Sequence, residues 1–129
     1  MSLYTYDERH AVSSVVQIAA ADGTSAKTLM NAQIYGSRCD AIVASSTSAS
    51  AHDVVVSVAN GGYVVAYVAV SVPAGAGGSA AVPPVDLLAS IPGGLSGIVL
   101  DYNSVLQAHV VVALGAGETL TLGLQGGDF

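Results

Sequence analysis

Hydrophobic and polar residues alternate over short stretches along most of the chain, the pattern of β-strands that bury one face. The clearest stretch lies near the C-terminus, where Leu120, Leu122 and Leu124 alternate with threonine or glycine. Similar stretches recur and are separated by glycine, proline, serine or asparagine. We predict strands at residues 11–20, 27–35, 40–47, 53–59, 63–72, 95–102, 106–114 and 118–124, and one helical turn at 85–90.

The strongest local signal is a β-hairpin around Asn60. Gly61 and Gly62 follow it, and residues of these types accept the positive φ angles that tight hairpin turns need. The second strand of the hairpin, 63–72, is apolar on both faces. It is therefore predicted to be a central strand covered on both sides, or a strand exposed to a partner on one side. Residues 73–84 are rich in glycine, alanine and proline and are predicted to form a long loop.

About eight short strands and no long helix predict an all-β fold, an antiparallel β-sandwich or barrel. We expect a jelly-roll-like sandwich, with an immunoglobulin-like sandwich as the alternative. A length of 129 residues fits one domain, placed at residues 10–129. Residues 1–9 form a polar N-terminal arm, which holds Tyr4, Tyr6 and Arg9.

The small number of charged residues limits the kinds of molecule that the chain can bind. Charged residues make up only 9% of the sequence, 3 of them Lys or Arg, and the formal net charge is −6. Because cations are needed to neutralise phosphate, we expect no nucleic-acid partner and no membrane binding. A surface so poor in ions loses little hydration when another protein covers it, which favours an oligomer or a larger assembly. A monomer coated with serine and threonine is the alternative.

The sequence offers no recognisable catalytic pattern. It contains neither a nucleophile elbow nor a phosphate-binding glycine loop. His10, His52 and His109 share no ligand spacing, so no metal site is predicted. Cys39 is the single cysteine and is predicted to be a small buried apolar side chain. We therefore expect that the chain is not an enzyme and uses no cofactor.

Four stretches resemble small β-sandwich structural proteins of tailed bacteriophages. They are AIVASSTSASAHDVVVSV, YVVAYVAVSVPAGAG, PVDLLASIPGG and GAGETLTLGLQGGDF, and they lie within residues 40–129. The resemblance lies in the pattern of short strands and loops, and it identifies no catalytic residue in this chain. It implies a capsid decoration (cement) protein that is made in the host cytoplasm without a signal peptide and lies on the capsid surface of the virion.

The resemblance also implies the partners. These are the major capsid protein and further copies of this chain, as a trimer in preference to a dimer. Terminal aromatic residues make good anchors at low entropic cost, so the candidate interface residues are Tyr4, Tyr6, Arg9 and Phe129. The alternative function is a tail-associated or host glycan-binding module, which exposed tyrosines clustered on one loop surface would favour.

Overall fold

Alternating apolar residues build two antiparallel β-sheets that pack against each other. The computed structural model describes residues 10–89, 91 and 97–129. Within them the strands are β1 (His10–Ala19), β2 (Lys27–Asn31), β3 (Ser37–Ser46), β4 (His52–Asn60), β5 (Tyr63–Val72), β6 (Val85–Asp86), β7 (Ile98–Leu100), β8 (Val105–Val110) and β9 (Thr119–Asp128). A short 3-10 turn, Ala20–Asp22, follows β1. The predicted all-β sandwich is confirmed.

The strand order folds the chain back on itself. The first sheet has the order β1-β9-β3-β6, with β7 also paired to β3, and the second has the order β2-β8-β4-β5. Thus β1 pairs with β9, β2 with β8, β3 with β6 and β7, and β4 with β5. The first part of the chain therefore pairs with the last part in reverse order. His10, where the description begins, lies opposite Asp128.

The core lies between the two sheets. In β9 the side chains of Leu120, Leu122 and Leu124 are fully buried, and in β4 the same is true of Val54 and Val56. The residues between them, Thr121 and Gly123 in β9 and Val55 in β4, are partly exposed. Burying one such side chain contributes roughly 1.5–3 kcal/mol, so the alternation in the sequence determines which face of each strand points inward.

Residues 85–89, the described part of the predicted helical turn at 85–90, differ from that prediction. Val85–Asp86 form a short strand against β3, and the Leu87 N–H donates to the carbonyl oxygen of Ile42 at 2.8 Å. The backbone therefore extends the sheet here, and Leu87 and Leu88 enter the core from the turn that follows. The preceding residues 73–84 form consecutive turns, so the predicted long loop is confirmed.

Several strands also end at places other than those predicted; β8 stops at Val110 and not at residue 114, and β7 stops at Leu100 and not at residue 102. Strand β2 stops at Asn31, because the chain then turns, with the Gly36 N–H donating to the carbonyl oxygen of Gln33 at 2.8 Å. Strand β9 continues past its predicted end at residue 124 to Asp128, through Gly126 and Gly127. Gly126 lies beside a bulge in β3, and a Cβ atom on it would overlap the backbone carbonyl of Arg38. Glycine thus permits the pairing to continue.

The β4–β5 hairpin is confirmed, but the position of β5 is not the central one predicted. Gly61 and Gly62 have φ angles of 60° and 88°, as a two-residue hairpin turn requires. Within residues 10–89, 91 and 97–129, strand β5 pairs with β4 alone and so forms an edge of the second sheet. None of these residues pairs with its opposite side, which leaves the other predicted role, exposure to a partner.

Candidate interaction surfaces

Several loops meet at one end of the sandwich and are joined by hydrogen bonds. The loop 32–36 contacts the loop 101–104 through the Ala32–Ser104 bond. The Asn60 side chain, at the β4–β5 turn, donates to the Ser104 hydroxyl at 2.9 Å. The Phe129 N–H donates to the carbonyl oxygen of Gly36 at 3.0 Å. These bonds fix the loops relative to one another without using aromatic side chains.

Aromatic side chains project from this same end. Tyr35 is 79% exposed, Tyr63 80%, Tyr102 57% and Phe129 40%. We call these four residues the aromatic end. The remaining aromatic residue in the described part of the chain, Tyr67, is half-buried in β5. Large apolar rings that gather on one surface are typical of a binding site, because each ring left in water costs free energy that a partner can recover.

Turn residues next to the tyrosines create this arrangement. Tyr35 precedes Gly36, whose φ of 88° and whose position beside the Leu100 carbonyl would strain any other residue. Tyr63 follows the glycine turn of the hairpin. Tyr102 precedes Asn103, which adopts a φ of 70°, a conformation that asparagine tolerates better than most residues. Each ring thus stands where the backbone reverses and points away from the core.

The candidate residues from the sequence fall into two groups. Phe129 belongs to the aromatic end. Tyr4, Tyr6 and Arg9 lie outside the described residues, as does the whole arm 1–9. Sequence reasoning missed Tyr35, Tyr63 and Tyr102. Their signal was present, because each is adjacent to a glycine or asparagine that favours a turn.

A second exposed apolar surface adjoins the aromatic end. The first four residues of β5, 63–66, are exposed on both faces, and they include Val64 and Val65, each 58% exposed. We call these residues the open half of β5. Further along the same strand, Val68 and Val72 are buried in the core.

A shallow groove of about 540 Å³ crosses the outer face of the first sheet. Val15 of β1, Gly123 of β9 and Val43 of β3 lie in one row across the three strands. Both valines are exposed, whereas Gly123 has no side chain and forms the floor between them. Ser13 and Gln125 provide polar groups beside this row. The groove is therefore weakly amphipathic and carries no charge of its own.

The opposite end of the sandwich is organised by three polar residues, the buried Ser48 and His52 and the partly exposed Glu118, which we call the polar end. The Ser48 hydroxyl lies 3.0 Å from Nε2 of His52, and both residues are buried. Nδ1 of His52 lies 3.2 Å from the carbonyl oxygen of Val112. Since a carbonyl only accepts, Nδ1 carries the hydrogen, and in the neutral ring Nε2 accepts the Ser48 hydroxyl hydrogen.

Glu118 completes the polar end. Its carboxylate accepts the Gly115 N–H at 2.8 Å and the Ala49 N–H at 3.3 Å. These two bonds, the Gly115 bond first, hold the pKa of Glu118 below its usual value. The three side chains therefore tie residues 47–52 to residues 111–118.

The Ser48–His52 pair has the spacing of a nucleophile and its base, but its surroundings differ from those of a hydrolase. The Ser48 hydroxyl is buried and already accepts the Ser50 N–H at 3.1 Å. A backbone carbonyl, in place of a carboxylate, orients the histidine. The pair is therefore suited to closing this end of the sandwich, because a substrate has no access to the hydroxyl.

The other candidate chemical groups are isolated. Cys39 is fully buried as predicted, and burial raises the pKa of its thiol to about 11. Among residues 10–89, 91 and 97–129, no three His, Cys, Asp or Glu side chains come together as metal ligands would. No helix in this described part is long and apolar enough to cross a lipid bilayer.

Comparison with known proteins gives no assignment. No protein-family model matches the chain, and no curated protein matches its sequence. The surfaces described above are therefore the basis for a proposal about function.

Proposed function

We propose that this chain is a non-enzymatic virion structural protein, a capsid decoration (cement) protein that binds the assembled head of a tailed bacteriophage. The observation that carries the proposal is the aromatic end, three tyrosines and a phenylalanine exposed on one surface. Tyrosine and phenylalanine are enriched and charged residues depleted at the centres of protein interfaces. A chain with only 9% charged residues fits that description.

The topology supports the same proposal. We propose that the sandwich is a jelly roll, in which a long hairpin is wrapped so that the first strand pairs with the last. The pairs β1–β9, β2–β8, β3–β6 and β4–β5 fit this scheme. An immunoglobulin-like sandwich has a different order, in which its first two strands are neighbours in one sheet. Jelly rolls occur in viral capsid proteins and also in lectins.

In this proposal, binding of the chain would stabilise the assembled capsid. A protein that binds only the assembled shell stabilises that state by mass action, and many sites on one particle act together. The partner in this proposal is the major capsid protein, and further copies of the chain are the second partner. The chain would be synthesised in the host cytoplasm and would reach the capsid surface by binding. Its three basic residues give no support to contact with the packaged nucleic acid.

The main test is the number of copies on the particle and its dependence on the aromatic end. Quantitative mass spectrometry on virions of the phage that encodes the chain should find hundreds of copies. A triple variant, Tyr35→Ser, Tyr63→Ser and Tyr102→Ser, should lose binding to heads stripped of the wild-type protein. The matched control Val15→Ser with Val43→Ser, on the groove, should retain it. A handful of copies, or full binding by the triple variant, would contradict the proposal.

The N-terminal arm is tested separately. In this proposal Tyr4, Tyr6 and Arg9 reach a neighbouring subunit; His10, which follows them in sequence, lies opposite Asp128, the neighbour of Phe129. Deleting residues 2–9 should lower the occupancy on heads. Unchanged occupancy would exclude the arm from the interface but leave the role of the aromatic end intact.

The clustered tyrosines also favour a second candidate function, a tail-associated module that binds a host glycan. Sugars stack on aromatic faces, and their hydroxyls need amide or carboxylate partners. Exposed Gln33, Asp101 and Asn103 lie on the same loops as the tyrosines. A glycan array followed by titration of tyrosine fluorescence tests this alternative. Saturable binding that the triple tyrosine variant abolishes would support it over decoration.

A further inference from the structure

The open half of β5 has the apolar sequence of a strand that is buried on both faces, but it lies at the edge of its sheet. Residues 63–66 are Tyr-Val-Val-Ala, apolar on both faces. Strands that read this way are ordinarily flanked by neighbours. Among the residues that the structure describes, β5 pairs with β4 on one side, and no strand pairs with the backbone N–H and C=O groups on its other side.

The other sheet edges in the described part of the chain differ from this one. The edge strand β2 is five residues long and carries Lys27, two features that discourage pairing with another chain. Both strands contain a bulge, near Thr28 in β2 and at Tyr67 in β5, and residues 63–66 lie before the bulge of β5. Strands β6 and β7 are only two and three residues long. The long edge β1 alternates exposed and half-buried residues along most of its length, as expected of an edge that has its own core face and a solvated face. Only β5 combines length with exposure of both faces.

Charge indicates what can cover β5. The chain has a net charge of −6, so two copies repel each other at most orientations. Residues 63–72 contain no charged side chain. Two β5 strands placed antiparallel would therefore meet without opposing like charges. The valines and the tyrosine of each strand would then pack beside those of the other strand.

We propose that two copies of this chain pair antiparallel through β5, so that the two four-stranded sheets join into one continuous sheet across a two-fold axis. The strand addition uses backbone hydrogen bonds, and Val64 and Val65 provide the apolar contact. Because the same patch is used on both sides, the contact closes at two copies. This inference deepens the self-association in the proposed function, favours a dimer over the trimer, and does not depend on attachment to a phage head.

The first test is the mass of the purified chain in solution. Light scattering over a concentration series should show a dimer. The variant Val64→Lys with Val65→Lys should shift dimerisation to concentrations about tenfold higher or more, because like charges then face each other across the axis. The matched control Val111→Lys with Val112→Lys adds the same charge at residues that are 53% and 67% exposed beyond β8, and it should dimerise like the wild type.

A second measurement locates the contact independently. Single cysteines placed along residues 63–66 should form disulfides between copies carrying the same substitution, while buried Cys39 stays unreacted. Hydrogen exchange should show protection of β5 amides that increases with protein concentration. A monomer at every concentration, equal effects of the two lysine pairs, or cross-linking of β5 to a cysteine at Val15 in β1 would each overturn the proposal. None of these results bears on head binding, which is measured on particles.

Discussion

At the aromatic end, Tyr35, Tyr63 and Tyr102 project into solvent, while backbone hydrogen bonds hold their loops in place. At the polar end, Ser48 and His52 point inward and bind each other, and the outer surface has no aromatic ring among the described residues. The same sandwich thus uses side chains for external contact at one end and for internal closure at the other. Loss of a side chain should therefore affect binding at the first end and stability at the second.

The largest expected effect concerns the backbone beneath the aromatic end. Gly126→Ala should lower the free energy of unfolding by about 3 kcal/mol, because its Cβ would overlap the Arg38 carbonyl and force β9 away from β3. Gly123→Ala, in the same strand, is the matched control. Its Cβ would lie 3.9 Å from the Val43 carbonyl, so stability should be unchanged or rise by about 0.5–1 kcal/mol. Urea denaturation measures both, and equal results would contradict the role of Gly126.

The next effect concerns the polar end. His52→Ala should cost about 2 kcal/mol, because it leaves the buried Ser48 hydroxyl and the Val112 carbonyl without their partner. The control His109→Ala removes a half-buried histidine from the outer face of the second sheet and should cost clearly less. Thermal unfolding followed by circular dichroism compares the two. If His109 proves the more costly, the polar end is not the stabilising closure inferred here.

A smaller effect should appear on acidification. The pKa of Glu118 in the folded chain lies below its usual value of 4.5, so the folded state binds this proton less tightly than the unfolded state does. The stabilisation is complete above the unfolded pKa and is lost as pH falls through the folded pKa. The unfolding free energy should therefore decline below about pH 4.5. Glu118→Gln should be less stable at neutral pH and show a shallower decline. An identical acid profile for the two chains would refute this.

The smallest effect on stability should come from the tyrosines. Tyr35→Ser or Tyr102→Ser should change the unfolding free energy by no more than about 0.5 kcal/mol, because the rings are largely exposed. The same variants should lower the affinity for whichever partner the aromatic end binds. Chemical denaturation and a binding assay on one protein batch separate the two quantities. A large loss of stability would show that the rings pack internally.

Local pattern was sufficient for much of the fold. The bounds of β5 and the hairpin turn before it follow from apolar residues next to Asn60 and two glycines. The position of β5 at an edge could not be predicted, because strand order depends on pairings between residues far apart in sequence. The same reason explains Val85–Asp86, whose strand exists only because β3 lies beside it.

The candidate surfaces were less predictable than the strands. Phe129 was identified because it is the final residue, a feature visible in sequence. Tyr35, Tyr63 and Tyr102 are separated by tens of residues and are gathered only when their loops meet. The Ser48–His52 contact spans four residues, but the buried site around it depends on Val112, which comes much later in the chain. The spacing of Ser48 and His52 in the sequence was therefore not sufficient to predict the polar end.

The place of β9 has a consequence for biosynthesis. The final ten-residue strand lies between β1 and β3 and is the element that joins them in the first sheet. During synthesis β1 leaves the ribosome long before β9 does, so β1 must wait for β9 before it can dock in the first sheet. Folding should therefore be slow for the length of the chain, since its closing step links segments far apart in sequence.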